Sequence, residues 1–345
     1  MDLSIPWKNT ERTFIIAEIG QNHQGDINIA KQLIKAAKEF GADCAKFQKT
    51  NLQEKFNIAA LKRPYPSIHS FGKTYGEHKA RLEFTENNFK DLQNYAREIG
   101  ILFTASAMDS KSLSFLVELD VPFIKIGSGD ANNFSLIEKA AETNIPLIIS
   151  TGMQSFATVK EIYHIVSKYH KNFALLHCIS AYPAPLEDIN LNVINLFKSE
   201  FPDITIGYSG HELGTHISTA AVALGCKIIE RHLTLDKKQK GSDHACSLEP
   251  EELQELVSNI RTLEIAMGKP TKAMRFSEEL CYEKLGKSLV YAKPLKEGYK
   301  LGFNDLITKV AEPKGIDGSE IRKIVGKILA KDVLEDESVL KEHLL

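Results

Sequence analysis

The amino-acid sequence predicts a (β/α)8 barrel, of the TIM type, followed by a small β-rich domain. Eight short apolar runs alternate with amphipathic helical patterns from residue 14 to residue 267. Such alternation implies right-handed crossovers and a parallel sheet. Eight repeats in roughly 260 residues match a closed barrel better than an open doubly wound sheet. The first predicted strand also lacks the Gly-x-Gly-x-x-Gly turn that a dinucleotide-binding open sheet would need.

The predicted strands are runs rich in Ile, Val and Phe. They are residues 14–19, 44–48, 102–106, 123–126, 147–150, 173–177, 204–208 and 228–233. The predicted helices between them include residues 27–40, 86–99, 159–169 and 217–224. Gly41, Gly100 and Gly225 lie at the ends of three of these helices. Glycine favours the left-handed conformation that commonly ends a helix, so these glycines support the predicted boundaries.

The pattern changes after residue 267. We expect a catalytic barrel at residues 1–268, a charged linker at 269–283 and a separate domain at 284–345. Alternating segments at residues 288–291, 306–310 and 327–333, separated by Gly and Pro, predict that this last domain is rich in β-structure. Residues 51–84, between the second strand and its helix, form a connection much longer than the usual two to six residues. A loop of this length predicts a functional role.

Composition limits the classes of function. The formal net charge is −2, so no basic field would recruit nucleic acid or an anionic membrane. No apolar run approaches the ~20 residues of a membrane span, and the N-terminal residues do not resemble a secretory signal. The five cysteines are widely spaced and include no Cys-x-x-Cys pair, which favours a reducing, cytoplasmic location. We therefore expect a cytoplasmic protein that acts on small molecules.

Polar residues interrupt several apolar strands near their ends. Active sites of such barrels form at the carboxyl ends of the strands, and strand alternation places these residues on inward faces. They are Glu18, Lys46, Gln48, Lys125, Glu230 and His232. A carboxylate and two lysines inside a barrel are costly unless they are paired or functional. A buried ion-pair network that serves only the core is the alternative interpretation.

Four strand ends are followed by small hydroxyl or glycine residues. They are residues 104–106, 127–129, 150–152 and 209–210. Such turns supply hydroxyls and accessible N–H groups, and the helix N-termini that follow favour negative charge. Each turn alone is equally typical of a helix cap. Together with Lys46 and Lys125, at one barrel mouth, they predict a pocket for a small, multiply charged phosphate.

Two histidines predict a metal site. His211 follows the seventh strand and His232 ends the eighth. Neighbouring strands lie ~4.8 Å apart, so both imidazoles can bind one divalent ion and leave positions for substrate oxygens and water. A packing role in the core is the alternative for each. His23 and His244 are further candidates, for which we favour a role in loop packing.

The sequence resembles the sialic acid (N-acetylneuraminate) synthase family in motifs along nearly the whole chain. The motifs are Ala-Glu-Ile-Gly-Gln-Asn-His at 17–23, Ala-Lys-Phe-Gln at 45–48, Lys-Ile-Gly-Ser-Gly-Asp at 125–130, Ser-Thr-Gly-Met at 150–153, Tyr-Ser-Gly-His-Glu at 208–212, Glu-Arg-His at 230–232 and Gly-Ser-Asp-His at 241–244. Residues 284–288 and 312–315 resemble parts of the family's C-terminal antifreeze-like (SAF) domain.

The resemblance implies a transferase that condenses phosphoenolpyruvate with N-acetylmannosamine or its 6-phosphate. The products are N-acetylneuraminate or its 9-phosphate, and inorganic phosphate released by C–O cleavage. It implies Mn²⁺ or Mg²⁺ on His211 and His232, with Glu18 orienting the sugar or moving a proton. Matching positions for phosphoenolpyruvate are Lys46, Ser106, Lys125, Ser128, Ser150 and Ser209. Those for the sugar are Glu18, Gln48, Asp130, Ser180, Tyr182 and Asp243. Family members are homodimers in which each SAF domain covers the partner's barrel.

One departure from the family pattern bears on the acceptor sugar. Many bacterial members carry Arg-Pro-Gly where this chain has Glu312-Pro313-Lys314, and that arginine contacts the sugar. Its replacement makes the chain more similar to the eukaryotic type, which uses the phosphorylated sugar. The long loop carries the cationic candidates Lys62, Arg63, His69, Lys73, His78, Lys79 and Arg81. We hypothesise that some of them, foremost Lys62, Arg63 and Lys73, bind a sugar phosphate. The alternative interpretation is a charged loop that is merely exposed to solvent.

Three other functions remain open from the sequence. The first is an aldolase in which Lys46 or Lys125 forms a Schiff base with a keto substrate. The second keeps the metal chemistry but uses another acceptor, such as a legionaminate- or pseudaminate-type precursor or an aldose phosphate. The third is a non-catalytic carbohydrate-binding or ice-binding module, suggested by the C-terminal residues alone. The polar residues that face the barrel interior argue against this third function.

Overall fold

The computed structural model describes residues 5–8 and 11–345 and divides the chain into two compact units, with the boundary between Gly268 and Lys269. The first unit contains a closed barrel of eight strands in sequential order, each paired in parallel with the next. The predicted (β/α)8 barrel is therefore confirmed. The strands are β1 (Phe14–Gly20), β2 (Cys44–Lys49), β3 (Leu102–Ala107), β4 (Ile124–Ile126), β5 (Leu147–Ser150), β6 (Phe173–Cys178), β7 (Thr205–Gly210) and β8 (Ile228–His232).

Helices connect the strands. They are α1 (Ile27–Glu39), α2 (Leu52–Lys55), α3 (Ile58–Lys62), α4 (Tyr75–Leu82), α5 (Glu86–Ile99), α6 (Ser110–Glu118), α7 (Phe134–Glu142), α8 (Phe156–Ser167), α9 (Leu186–Ile189), α10 (Asn192–Glu200), α11 (His216–Ala223) and α12 (Pro250–Met267). The eighth helix begins three residues earlier than predicted because the Ser155 side chain accepts a hydrogen bond from the Thr158 amide and caps it. Gly100 ends α5 in the left-handed conformation, as its position predicts.

The barrel interior is built in two layers. At the amino ends of the strands lies an apolar layer, the apolar floor, which consists of Trp7, Phe14, Ile16, Cys44, Phe123, Ile148, Ala174, Leu176 and Ile228. The Trp7 ring packs edge-on against Phe123 with ring centroids 5.3 Å apart. Two residues further along β1, β2 and β8, the same inward faces carry Glu18, Lys46 and Glu230. Because side chains alternate between the two faces of a strand, these polar groups lie directly above the apolar floor.

Residues 50–85 fold into three short helices, α2 to α4, instead of an irregular loop. Asn51, Asn57 and Thr74 begin these helices, and each side chain accepts a hydrogen bond from a backbone amide of the first turn. Aromatic rings hold the segment together, for example Tyr75 edge-on against Phe56 with centroids 5.4 Å apart. These contacts fix the position of charged residues on α2 and α4.

The second unit contains α13 (Glu279–Leu285), an antiparallel pair of strands, β9 (Ser288–Tyr291) and β10 (Leu306–Lys309), and α14 (Ile321–Ile324). Its own small apolar core includes Leu289, Tyr291 and Leu329. Two predictions differ from this structure. The predicted linker 269–283 includes most of α13, and the predicted strand 327–333 is reduced to isolated bridges at Ile328, Leu329 and Val333.

Candidate active site

A cavity of about 600 Å³ opens at the carboxyl ends of the barrel strands, within the usual range for small-molecule sites. Most of the predicted site residues line it. They are Glu18, Lys46, Gln48, Ser106, Lys125, Ser128, Asp130, Ser150, Ser180, Tyr182, Ser209, His211, His232 and Asp243. The structure therefore brings together residues from all eight strands or from the segments that follow them.

Four buried charges form the innermost part of the cavity; we call them the inner cluster: Glu18, Lys46, Lys125 and Glu230. Lys46 Nζ lies 2.5 Å from Glu18 Oε2 and 3.6 Å from Glu230 Oε1. Lys125 Nζ lies 3.5 Å from the same Glu230 oxygen. Each of the four residues is at most 5% exposed. Two cations and two carboxylates therefore neutralise one another out of contact with bulk water.

Mutual attraction decides the protonation of this cluster. Burial raises the pKa of Glu230, but Lys125 and Lys46 outweigh it and hold that pKa at about 2. Burial lowers the pKa of Lys46, but the two carboxylates outweigh it and the net direction is upward. Burial, together with the charge of Glu230, raises the pKa of Glu18 despite Lys46. Of the two carboxylates in the cluster, Glu18 is therefore the one more suited to exchanging a proton.

Hydroxyl groups extend the inner cluster. Lys46 Nζ donates to Ser106 Oγ at 3.1 Å, and Lys125 Nζ donates to Ser150 Oγ at 2.8 Å. Ser209 Oγ donates to Glu230 Oε1 at 3.2 Å. Two ammonium groups and several hydroxyls, all within one small cavity, provide the donors that a phosphate or carboxylate requires.

The two predicted metal ligands lie side by side. The ring centroids of His211 and His232 are 5.4 Å apart, and both rings line the cavity. His211 Nδ1 lies 2.7 Å from the Ile179 carbonyl oxygen, to which it donates, so its Nε2 carries the free lone pair. Burial lowers the pKa of His232 to about 3, so this ring is neutral, and its buried Nδ1 has no hydrogen-bond partner among the described residues.

The chemistry of this donor set fits a divalent cation. One ion about 2 Å from a nitrogen of each ring is compatible with the observed separation of the rings. Within residues 5–8 and 11–345 no group of three or more His, Cys, Asp or Glu is arranged to hold an ion. Substrate oxygens and water would therefore have to supply the remaining ligands, as in open catalytic sites.

Asp130 and Tyr182 lie further out in the cavity. Asp130 accepts from Lys55 Nζ at 2.9 Å. The Tyr182 ring packs against His211 with centroids 4.2 Å apart. At Gly152, a Cβ would collide with Ser180 Oγ and come within 2.9 Å of Ser128 Oγ. Only glycine lets these hydroxyls approach the backbone so closely.

Some predicted residues lie outside the cavity lining. Lys62, Arg63 and Lys73 are exposed on the long segment, with the Arg63 guanidinium 4.2 Å from the centre of the Tyr75 ring. The two histidines favoured for packing are buried. His23 stacks on Phe84 at 4.1 Å, and His244 Nδ1 shares a hydrogen bond with Thr234 Oγ1 at 2.7 Å.

Two lysines of the long segment lie at the cavity: Lys55 on α2, which the sequence did not single out, and Lys79 on α4, which was one of the seven cationic candidates. We call them the rim lysines. Both line the cavity, together with His69 and Tyr75 of the same segment and Glu230. Glu230 was predicted to share an inward strand face with His232, but it was not assigned to a substrate or to the metal. Nothing in the sequence distinguished the rim lysines from the other cations of the loop, because their positions depend on how the segment packs.

A second buried ion pair lies on the outer side of the barrel wall. Arg231 donates to Glu212 Oε1 at 2.9 Å, and Tyr208 donates to Glu212 Oε2 at 2.8 Å. Arg231 and Glu212 are at most 1% exposed. They alternate along the chain with residues that face the cavity, so this pair holds the ends of β7 and β8 in place.

The fold and site define a (β/α)8-barrel enzyme with two buried lysines and two histidines in its pocket. Residues 33–272 match the NeuB family and residues 286–345 match the SAF domain. The chain belongs to the NeuB family. The resemblance to sialic acid synthases is thereby confirmed, and so is the assignment of the small second unit to the SAF type.

Two relatives and one solved structure show the extent of the similarity. N-acetylneuraminate-9-phosphate synthase of Homo sapiens is 56% identical over 329 residues, covering 95% of this chain and 92% of the human protein. The Drosophila melanogaster protein of the same name is 47% identical over 365 residues, covering 99% and 98%. A crystal structure of N-acetylneuraminic acid (sialic acid) synthetase from Leptospira borgpetersenii serovar Hardjo-bovis in complex with citrate has a TM-score of 0.70 and 34% identity, covering 79% of this chain and 90% of that one.

Proposed function

We propose that this protein is a sialic acid synthase that condenses phosphoenolpyruvate with N-acetylmannosamine 6-phosphate. The products are N-acetylneuraminate 9-phosphate and inorganic phosphate. The observation that carries the proposal is the convergence of the inner cluster and the two histidines in one cavity of a NeuB-family barrel. The phosphorylated acceptor is favoured because the relatives of 56% and 47% identity are both N-acetylneuraminate-9-phosphate synthases.

The inner cluster supplies the binding groups for phosphoenolpyruvate. Lys46 and Lys125 provide positive charge, and Ser106 and Ser150, already within hydrogen-bond reach of these lysines, provide hydroxyls. Ser128 and Ser209 complete the proposed set. Since these groups are fixed before the substrate arrives, they stabilise developing negative charge without reorganising.

In the proposed reaction, C3 of phosphoenolpyruvate attacks the aldehyde carbon of the open-chain sugar. Water adds at C2, and phosphate leaves as its C–O bond breaks. Glu18, which accepts from Gln48 Nε2 at 3.0 Å, orients the sugar or moves a proton. Gln48, Asp130, Ser180, Tyr182 and Asp243 are the further proposed contacts with the sugar.

We further propose that His211 and His232 hold Mn²⁺ or Mg²⁺. A bound divalent ion would act as a Lewis acid that polarises the sugar aldehyde. We expect chelation to abolish phosphate release and Mn²⁺ or Mg²⁺ to restore it. Calorimetric titration with Mn²⁺ alone should show binding to the wild type and weaker binding to His232→Ala. Equal Mn²⁺ affinity in both proteins would contradict the assignment of this ligand.

The acceptor is tested by measuring phosphate release with phosphoenolpyruvate and each of the two sugars. We expect a higher kcat/KM for N-acetylmannosamine 6-phosphate than for N-acetylmannosamine. A preference for the unphosphorylated sugar would contradict the phosphorylated acceptor while leaving the family chemistry intact. A Schiff-base mechanism at Lys46 or Lys125 would instead predict that borohydride traps the adduct of enzyme and substrate, and that activity survives a chelator.

The family and the cysteines support a proposal for the assembly and the location. We propose a homodimer in which each SAF domain covers the partner's barrel, with Glu312 replacing the sugar-contacting arginine of many bacterial members. Analytical ultracentrifugation should then give twice the 38.5 kDa mass of the chain. All five cysteines are free, which supports the proposed cytoplasmic location. In the described part of the chain no helix is long and apolar enough to cross a membrane.

A further inference from the structure

One cation in the cavity has no carboxylate partner. Lys79 Nζ donates to Gln21 Oε1 at 2.8 Å, a neutral amide oxygen. The neighbouring lysines are paired: Lys49 with Glu83, and Lys55 with Asp130. Among the residues that the structure describes, Lys79 forms no ion pair. A mostly buried ammonium group without a counter-ion is costly, so its presence at a ligand cavity calls for a ligand.

The environment of Lys79 disfavours its protonated form. Burial lowers the pKa of Lys79, and the positive charge of Lys55 lowers it further, while Asp243 and Glu83 act in the opposite direction. The balance remains unfavourable to the charged form. An anion bound beside Lys79 would supply the missing negative charge and relieve the repulsion between the rim lysines.

A neutral donor stands near the same rim. His69 Nδ1 accepts from the Gly241 amide at 3.2 Å, so its proton is on Nε2, and the ring lines the cavity. Ser242 also lines it, but its hydroxyl donates to Asp243 Oδ1 at 2.7 Å and is already used. Lys55 is already paired with Asp130, so a ligand would have to compete with this carboxylate for the ammonium group. Lys79 is therefore the principal anion-binding group of the rim and His69 the accessory one.

The cavity thus has two separate sets of cations. Lys46 and Lys125 come from strands β2 and β4, whereas Lys79 comes from helix α4 of the long segment. The proposed reaction brings two phosphorylated substrates into one cavity. The anionic groups of phosphoenolpyruvate account for the inner set. An open-chain hexose carries its C6 substituent at the end opposite the reacting aldehyde, so a second phosphate must lie away from the first.

We propose that Lys79 binds the 6-phosphate of the acceptor sugar and selects the phosphorylated sugar over the free one. This inference rests on the proposed function and deepens it by assigning acceptor selectivity to one residue. His69 donates a second hydrogen bond to the same phosphate. Lys62, Arg63 and Lys73, exposed outside the lining, serve only to attract the substrate.

The test compares Lys79→Met, Lys79→Arg and, as a matched control, Lys90→Met on the exposed face of α5. For each, kcat/KM is measured with N-acetylmannosamine 6-phosphate and with N-acetylmannosamine, at saturating phosphoenolpyruvate. We expect the ratio of the two values to fall about 100-fold in Lys79→Met, mainly through KM for the phosphorylated sugar, because a charged hydrogen-bond donor is lost. Lys79→Arg should recover most of the ratio, and Lys90→Met should keep the wild-type ratio.

Each outcome separates the two proposals. The role of Lys79 would be overturned if Lys79→Met kept the wild-type ratio, or if it lost kcat/KM equally with both sugars. The proposed function would stand in that case, provided that the wild type prefers the phosphorylated sugar. A wild-type preference for the free sugar would overturn the proposed acceptor itself, before any variant is considered. Thermal unfolding of Lys79→Met should match the wild type or exceed it, since an unpaired buried cation is removed.

Discussion

The inner cluster and the rim lysines differ in how their charges are balanced. In the inner cluster, Lys46 and Lys125 face Glu18 and Glu230 within 3.6 Å, so the charges are neutralised by the protein itself. At the rim, Lys79 donates to an amide oxygen and lies 5.6 Å from the centre of the Tyr75 ring, but it forms no ion pair with any described residue. Residues of the barrel itself therefore balance the inner charges, whereas the rim keeps positive charge that a ligand can neutralise.

The largest effect is expected from Lys125→Met. The change removes a cation from the proposed phosphoenolpyruvate site and should lower kcat/KM about 10³-fold. Because this site serves both acceptors, the loss should be the same with either sugar, unlike that of Lys79→Met. Phosphate release measures it, with Lys90→Met as the control. A loss below tenfold would contradict the assignment of Lys125 to the phosphoenolpyruvate site, and with it the separate roles of the two sets of cations.

Glu230→Gln tests whether the inner cluster is self-neutralised. The substitution leaves two buried ammonium groups with one carboxylate, and the free energy of unfolding should fall by about 3 kcal/mol. Urea denaturation at neutral pH measures the change. Adding Lys125→Met to Glu230→Gln should recover part of the loss, since the number of opposite charges is again equal. Strict additivity of the two losses would show that the groups do not interact.

The rim is expected to respond to pH. Burial lowers the pKa of Lys79, so it loses its proton at a lower pH than the usual value of 10.5. Above that pH, KM for the phosphorylated sugar should rise by about tenfold per pH unit. Lys79→Arg should abolish the rise because a guanidinium stays protonated. An identical rise in both proteins would assign the titration to another group.

The smallest effect is expected at the exposed cations. The triple variant Lys62→Ala, Arg63→Ala and Lys73→Ala should change kcat/KM by less than about threefold, because solvent screens exposed charges. The residual effect should vanish at high ionic strength. A larger loss confined to the phosphorylated sugar would move the phosphate site from Lys79 to these residues.

The barrel and its inner cluster could be predicted because both follow from strand periodicity. An inward face repeats every second residue, so Glu18, Lys46, Lys125 and Glu230 could be placed before their contacts were known. The same rule placed His211 and His232 at neighbouring strand ends. Local sequence was sufficient wherever the backbone pattern alone determined the direction of a side chain.

The rim could not be predicted in this way. The positions of Lys55 and Lys79 depend on how α2 and α4 pack through aromatic contacts such as that of Tyr75 with Phe56. These contacts join residues far apart in the loop and have no periodic signature. The sequence named a large set of loop cations, and only the fold distinguished Lys79, which lines the cavity, from Lys62 and Arg63, which do not.

The apolar floor has a consequence for the order of events during turnover. Trp7, Phe14 and Phe123 fill the amino end of the barrel, so substrates and products exchange through the mouth at the other end. Under the proposed assignments, phosphoenolpyruvate occupies the deeper position and the sugar the outer one. A sugar that arrives first would block the way in. Binding should therefore be ordered, with phosphoenolpyruvate first, and excess acceptor sugar should inhibit initial rates.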